Sequence, residues 1–292
     1  MRLLLTGASG FTGVHLAQAA RDSGYTVIEL NGNLQDRTSV TKQIVQCKPS
    51  HVIHLAAISA VTHGEFAEIY ESNLIGSLNL LEALASLPNV PQKIILASSA
   101  YVYGNDPNRP ILDEKMSACP SNHYAISKYA MELMAQTFVT HLPLIIVRPF
   151  NYTGAGHDER FVIPKIIAHY AKQANSIELG DIDAKREYND VRDVVSIYLR
   201  LLERGQPGEI YNVASGRPVS VRSVLSRLHN LTGRELPVVQ NPKFMRSNEI
   251  ACLVGNGQRL VNTLGPIDWR PLDETLQWML SAASKAPERI ND

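Results

Sequence analysis

The first thirteen residues constrain this chain more than any other stretch. A short apolar run from Met1 ends in Thr6-Gly7-Ala8-Ser9-Gly10-Phe11-Thr12-Gly13. Helical spacing follows at once over 14–22, with Gly24 placed to stop it. The order is strand, glycine turn, helix. Gly7, Gly10 and Gly13 permit a tight turn and close approach of backbone to a ligand, and the helix N-terminus offers free N–H groups and a dipole that favours an anion. A pyrophosphate suits such a junction. The spacing is G-x-x-G-x-x-G rather than the usual G-x-G-x-x-G of dinucleotide sites, and a glycine turn without a ligand is the alternative. Placement at the first strand-to-helix junction favours dinucleotide binding.

The same alternation continues. Strands at 26–30, 51–55, 93–97 and 144–148 are separated by helices at 38–47, 65–86 and around Tyr124. This predicts an α/β fold, a doubly wound parallel sheet covered on both faces. Ligands of such sheets gather at the carboxyl ends of strands, where Gly7, Ala56, Ser99 and Asn151 all fall. After Asn151 the pattern changes. Helices at 161–174, 191–203, 221–231 and 273–284 mix with short strands at 177–179, 209–213 and 236–240 in a tail dense in turns. The expected division is a dinucleotide domain over 1–150, with a return near 176–204, and a smaller α/β lobe over 151–292 that supplies substrate contacts.

Lys plus Arg and Asp plus Glu both total 28, which removes any general field for nucleic acid or membrane. An anionic ligand must be held locally. The three cysteines, Cys47, Cys119 and Cys252, lack metal-like spacing and suit a reducing cytosol, so no metal and a cytoplasmic location are expected. No apolar run reaches the length of a signal peptide or membrane span.

Within 123–130, Tyr124 and Lys128 stand at i and i+4 and share one face if the segment is helical. An ammonium nearby would lower the phenol pKa and make Tyr124 a proton donor or acceptor near neutral pH. A surface tyrosine and lysine on one helix face is the alternative. Asn73, inside the 65–86 helix, reads more readily as a buried tie to neighbouring backbone than as a site residue. At the end of the second strand, Asn31-Gly32 is neither the acid that reads an adenosine ribose nor the base that reads its 2′-phosphate, and Arg37 nearby can simply cover its own helix, so cofactor choice stays open.

The glycine motif, His54-Leu55-Ala56-Ala57, Ser98-Ser99 with Val102-Tyr103-Gly104, Tyr124-x-x-x-Lys128 and Arg148-Pro149-Phe150-Asn151 occur in that order. Together they resemble the extended short-chain dehydrogenase/reductases that modify nucleotide sugars. The resemblance implies a Rossmann domain holding NAD(H) or NADP(H) and a lobe holding a nucleoside-diphosphate sugar. It implies Tyr124 as acid/base, Lys128 on the nicotinamide ribose and Ser99 on the reacting sugar oxygen. Cofactor contacts are then expected from Gly7, Gly10, Phe11, Thr12, Gly13, Asn31, Asn33, Leu34, Leu55, Ala56, Ala57, Ala97, Tyr124, Lys128 and Pro149. Substrate contacts are expected from Ser99, Asn151, Phe161, Val162 and Arg186, the last resembling an arginine that binds the substrate pyrophosphate.

The segment 241–249 is similar to one in GDP-mannose 4,6-dehydratases and GDP-4-keto-6-deoxy-D-mannose reductases. There an Arg and a Glu, here Arg246 and Glu249, read guanosine; a structural ion pair is the alternative. Dehydration needs a carboxylate beside the serine, and dehydratases of this family carry one, whereas this chain has Ala100 and Tyr101. Nor is there a cysteine near Ser99 of the kind used by epimerase-reductases. The expected activity is NAD(P)H-dependent reduction of GDP-4-keto-6-deoxy-D-mannose to GDP-D-rhamnose or GDP-6-deoxy-D-talose. Two alternatives stand beside it: a reductase or epimerase of a dTDP- or UDP-linked hexose, and a silent dinucleotide-binding sensor. A homodimer through the helices at 65–86 and 122–140 is what the resemblance implies.

Overall fold

The computed structural model describes residues 1–59, 66–105, 111–245 and 250–284. Its centre is a six-stranded parallel sheet in the order Ile210–Val213, Leu144–Pro149, Lys93–Ala97, His51–His54, Arg2–Thr6, Thr26–Glu29. Strand residues alternate between two apolar layers, as period-two geometry requires. Leu3, Leu5, Ile53, Ile95, Ile145 and Val147 face the layer beneath helices Phe11–Asp22 and Val191–Arg204. Leu4, Val52, Ile94, Leu96 and Leu144 face the other, beneath Arg37–Cys47, Gly76–Ala85 and His123–Gln136. Each fully buried aliphatic side chain here contributes about 1.5–3 kcal/mol. A separate cluster around Ile163, Ile166, Val224, Leu228 and Leu276 forms the core of the C-terminal lobe.

Three elements differ from the sequence expectation. Ile177–Leu179 pairs with Val238–Gln240 outside the main sheet, while Ile210–Val213 becomes an edge strand of it. The helix expected over 65–86 is interrupted: Phe66–Tyr70 and Gly76–Ala85 flank a π-turn at Glu71–Ile75. Such turns recur at functional sites because they rotate side chains out of helical register. Asn73 sits in this one. Among the described residues no helix is long and apolar enough to cross a membrane.

Candidate active site

Thr6, His54, Ala97 and Pro149 lie at neighbouring carboxyl ends of the sheet. Past Thr6 the chain turns at Gly7, whose φ of +70° suits glycine, and Gly10 caps helix Phe11–Asp22. A Cβ on Gly7 would lie 2.8 Å from the Ala56 nitrogen, and one on Gly13 would land on the Gly7 carbonyl oxygen. The glycines therefore bring the turn flat against the 55–56 backbone and leave the first N–H groups of the helix for an anion. A cavity of about 270 Å³ opens there, walled by Gly7, Ser9, Asn31, Gly32, Leu34 and Ala56 among others. This cradle fits a dinucleotide, with the pyrophosphate on the helix N-terminus.

Asn122 starts the next part of the site. Its Oδ1 accepts the Ala125 N–H at 2.9 Å and so begins helix His123–Gln136 just before Tyr124. The i, i+4 spacing then aims Tyr124 and Lys128 at the strand ends. Lys128 Nζ donates to the Ala97 carbonyl at 2.7 Å. Ser99, which caps the turn Ala100–Tyr103, is hydrogen-bonded to the Tyr124 phenol and accepts the Tyr101 N–H at 3.2 Å. The three expected catalytic side chains thus meet at one place.

Their electrostatics correct one expectation. The Tyr124 phenol is pushed up rather than down. Burial does most of this, the nearby phenols of Tyr152 and Tyr101 add to it, and the Ser99 hydrogen bond opposes it. Lys128 does not offset these effects, because its ammonium is turned to Ala97. In this state Tyr124 is firmly protonated and poised as a donor. Lys128 is itself pulled down to about 8 by burial, against a smaller pull upward from Glu132.

Glu132, one further turn along the same face, was not singled out from the sequence. It grips Arg148 with two hydrogen bonds of 2.9 and 2.6 Å, and both residues are buried. The Arg148 guanidinium lies 4.8 Å from the Tyr103 ring centre, and the Tyr103 hydroxyl donates to Asn212 Oδ1 at 2.7 Å. An acid eight residues after a candidate catalytic tyrosine, on the buried face, was the available signal.

Behind the helix runs a chain of buried polar groups. Thr6 Oγ1 meets His54 Nδ1 at 2.6 Å, and His54 Nε2 meets Ser77 Oγ at 2.8 Å. Ser77 donates to the Asn73 carbonyl, Asn73 Nδ2 donates to Ser127 Oγ at 2.9 Å, and Ser127 donates to the Tyr124 carbonyl. Because Ser77 donates onward, His54 carries its proton on Nε2 and accepts from Thr6 on Nδ1. Burial pushes His54 down to about 3, so it is neutral. Asn73 also binds both the N–H and the carbonyl of Ile58. It is the backbone tie that the sequence favoured.

The expected substrate residues spread wider. Asn151 has a buried Oδ1 without a partner among the described residues, an acceptor waiting for a donor. Phe161 and Val162 open the ten-residue helix Val162–Ala171. Phe161 stacks on His157, which stacks in turn on Phe11 of the glycine turn at 4.2 Å. Thr12 adds a 2.7 Å bond to the Tyr152 hydroxyl. Arg186 is buried on a short strand, and its Nη1 donates to the Lys185 carbonyl. Arg246 and Glu249 lie outside the described residues.

A family profile described as NAD dependent epimerase/dehydratase matches residues 3–214. The chain is 35% identical over 297 residues to GDP-6-deoxy-D-mannose reductase of Pseudomonas aeruginosa, covering 96% of each. It is 31% identical over 271 residues to GDP-6-deoxy-D-talose 4-dehydrogenase of Aggregatibacter actinomycetemcomitans, covering 91% of this chain and 92% of the other. The solved structure of RMD from Pseudomonas aeruginosa complexed with NADPH superposes with a TM-score of 0.88 at 32% identity, covering 97% of this chain and 98% of that one. Cradle, catalytic group and likeness over nearly the whole length agree: the chain belongs to the NAD dependent epimerase/dehydratase family.

Proposed function

We propose that this enzyme reduces the 4-keto group of GDP-4-keto-6-deoxy-D-mannose, giving GDP-D-rhamnose or its C4 epimer GDP-6-deoxy-D-talose. The observation that carries the reading is the surround of Ser99. A protonated phenol, Tyr124, stands beside it, and the next two residues are a buried alanine and a tyrosine, where dehydration would need a carboxylate. Reduction needs one hydride at C4 and one proton on the nascent alkoxide. A nicotinamide cofactor held on the glycine turn would supply the hydride. Ser99 holds the C4 oxygen, Tyr124 gives it the proton, and burial keeps that proton on Tyr124 until the alkoxide forms. Asn151 and Arg186 serve the sugar and diphosphate, with Phe161 and Val162 beside them. Residues 1–150 supply most of the cofactor domain and 151–292 most of the substrate lobe.

The test mixes enzyme, reduced cofactor and GDP-4-keto-6-deoxy-D-mannose, follows cofactor oxidation and identifies the product by NMR. Oxidation with the GDP sugar is expected. Its absence, or a faster reaction with the dTDP-linked analogue, sinks the reading. Exposed apolar side chains at Phe66, Ile75, Ile126 and Leu133 further support pairing of two copies through these helices. Sedimentation should show a dimer, and a monomer at micromolar concentration refutes the pairing.

A further inference from the structure

Helix Phe11–Asp22 begins with residues that face two ways. The first N–H groups of the helix have no helical acceptor and are left for an anion, while side chains of the same turn reach into the segment 152–161. Thr12 Oγ1 lies 2.7 Å from the Tyr152 hydroxyl, and His15 Nε2 donates to the Ala155 carbonyl at 2.9 Å. The Phe11 ring lies flat on the His157 imidazole, with centres 4.2 Å apart and planes 9° from parallel. His157 in turn stacks on Phe161 at 4.4 Å, and Phe161 directly precedes helix Val162–Ala171. The backbone of this segment closes on itself: the His157 N–H donates to the Gly154 carbonyl and the Phe161 N–H to the Asp158 carbonyl. Among the described residues, hydrogen bonds and ring contacts from 155–161 to the first 150 residues end only on Phe11 and His15. Burial takes the His157 pKa down to about 4, so at pH 7 the ring is neutral and packs as a flat aromatic plate.

We propose that His157 is a positioning residue that makes the start of helix Val162–Ala171 answer to an anion on the glycine turn, so that dinucleotide and nucleotide sugar each bind more tightly when the other is present. The inference rests on the reading of Phe161 and Val162 as contacts on the sugar side. An anion that takes up the free N–H groups fixes the first turn and with it the Phe11 ring. His157 then has a fixed plate to lie on, and Phe161 a fixed neighbour. The order imposed by the first ligand need not be imposed again by the second, which is the condition for positive coupling without a large movement. Coupling of this kind is reciprocal, so either ligand can be the first. A stacked aromatic pair carries a factor of about two- to tenfold in an equilibrium, which bounds the effect. A ring that merely filled space would support the fold but would not make one ligand sense the other.

The first test needs no sugar. Hydrogen exchange of the amides over 155–165 is followed in the full chain with and without saturating NADH or NADPH. Either cofactor should slow exchange there about two- to tenfold in the wild type. His157→Ala should abolish the slowing and His157→Phe, which keeps a flat ring, should restore it. No slowing in the wild type, or equal slowing in the alanine variant, overturns the proposal. Phe161→Leu breaks the stack from its far side and serves if the alanine variant does not fold; slowing that survives in it has the same meaning. The second test titrates GDP by calorimetry with and without cofactor. The wild type should bind GDP about two- to tenfold more tightly with cofactor present, and in His157→Ala that ratio should fall to about one. A ratio unchanged by the substitution overturns the proposal. If GDP fails to bind and UDP or dTDP binds instead, the guanosine reading falls, and the same ratio taken with that nucleotide decides the role of His157.

Discussion

Lys128 carries an ammonium into a site where only 2% of the residue meets solvent, and burial pulls its pKa from 10.5 to about 8. That displacement weakens the fold. In an unfolded chain the lysine keeps its ordinary pKa, so between about pH 8 and 10.5 the unfolded state binds more protons than the folded one, and stability rises with pH across that window. Below it the penalty is fully present. A displacement of about 2.5 units corresponds to about 3 kcal/mol at pH 7. Lys128→Met removes the charge but keeps a long apolar stem. It also forfeits the bond from Nζ to the Ala97 carbonyl, which costs about 1–2 kcal/mol. The balance is a cofactor-free protein about 1–2 kcal/mol more stable at pH 7. Urea denaturation followed by tryptophan fluorescence measures it. The advantage should vanish as pH rises from 8 to 10.5, because the wild type sheds its penalty there. Turnover should meanwhile be lost, as the proposed place of Lys128 on the cofactor ribose requires. A Met variant that is less stable at pH 7, or whose difference from wild type ignores that window, refutes the reasoning.

Three further outcomes follow. Tyr124→Phe should bind cofactor with near-native affinity and lose about 100-fold or more in kcat, the scale of a missing general acid; full activity would remove Tyr124 from the proton transfer. Glu132→Gln leaves a buried guanidinium without its carboxylate and should cost about 3–5 kcal/mol in denaturant unfolding, with partial recovery in the double variant Glu132→Gln, Arg148→Met; a loss under 1 kcal/mol would mean the pair is not closed in solution. Burial pushes His157 down to about 4, so the folded state binds fewer protons than the unfolded one between about pH 6.5 and 4, and stability falls as pH drops through that range. His157→Phe should keep the stack with Phe11 and Phe161 and blunt that fall, whereas an identical acid profile would show that His157 does not contribute to it.

The sheet was legible because strand and helix periods differ and because glycine spacing marks the first junction. Tyr124 and Lys128 were legible because helix spacing is fixed: once Asn122 caps the helix, i and i+4 must share a face. The sign of the Tyr124 shift was not. It depends on which way the ammonium turns and on two other phenols, Tyr152 and Tyr101, which come from different strand ends. Nor could the sequence reveal that His157 lies between Phe11 and Phe161. That stack joins segments far apart in the chain and is set by lobe packing rather than local pattern. Asn73 falls between these cases. Its placement on a helix made it a buried tie, but the π-turn that aims it at both Ile58 and Ser127 left no local signature.

The edge strand Ile210–Val213 has a consequence for how the chain reaches its fold. Its neighbour is Leu144–Pro149, and it also supplies Asn212, which receives the Tyr103 hydroxyl. Pairing of this kind closes a long loop before any of its contacts repay the entropy lost, and such steps are slow. During synthesis the first five strands emerge well before the sixth, so Leu144–Pro149 waits as an open edge and the Tyr103 hydroxyl waits for its Asn212 acceptor. A chain cut near residue 150 keeps the glycine turn, Tyr124 and Lys128 yet stays in that exposed state, where edges recruit other chains. The half that carries them is therefore completed only by the half that follows it.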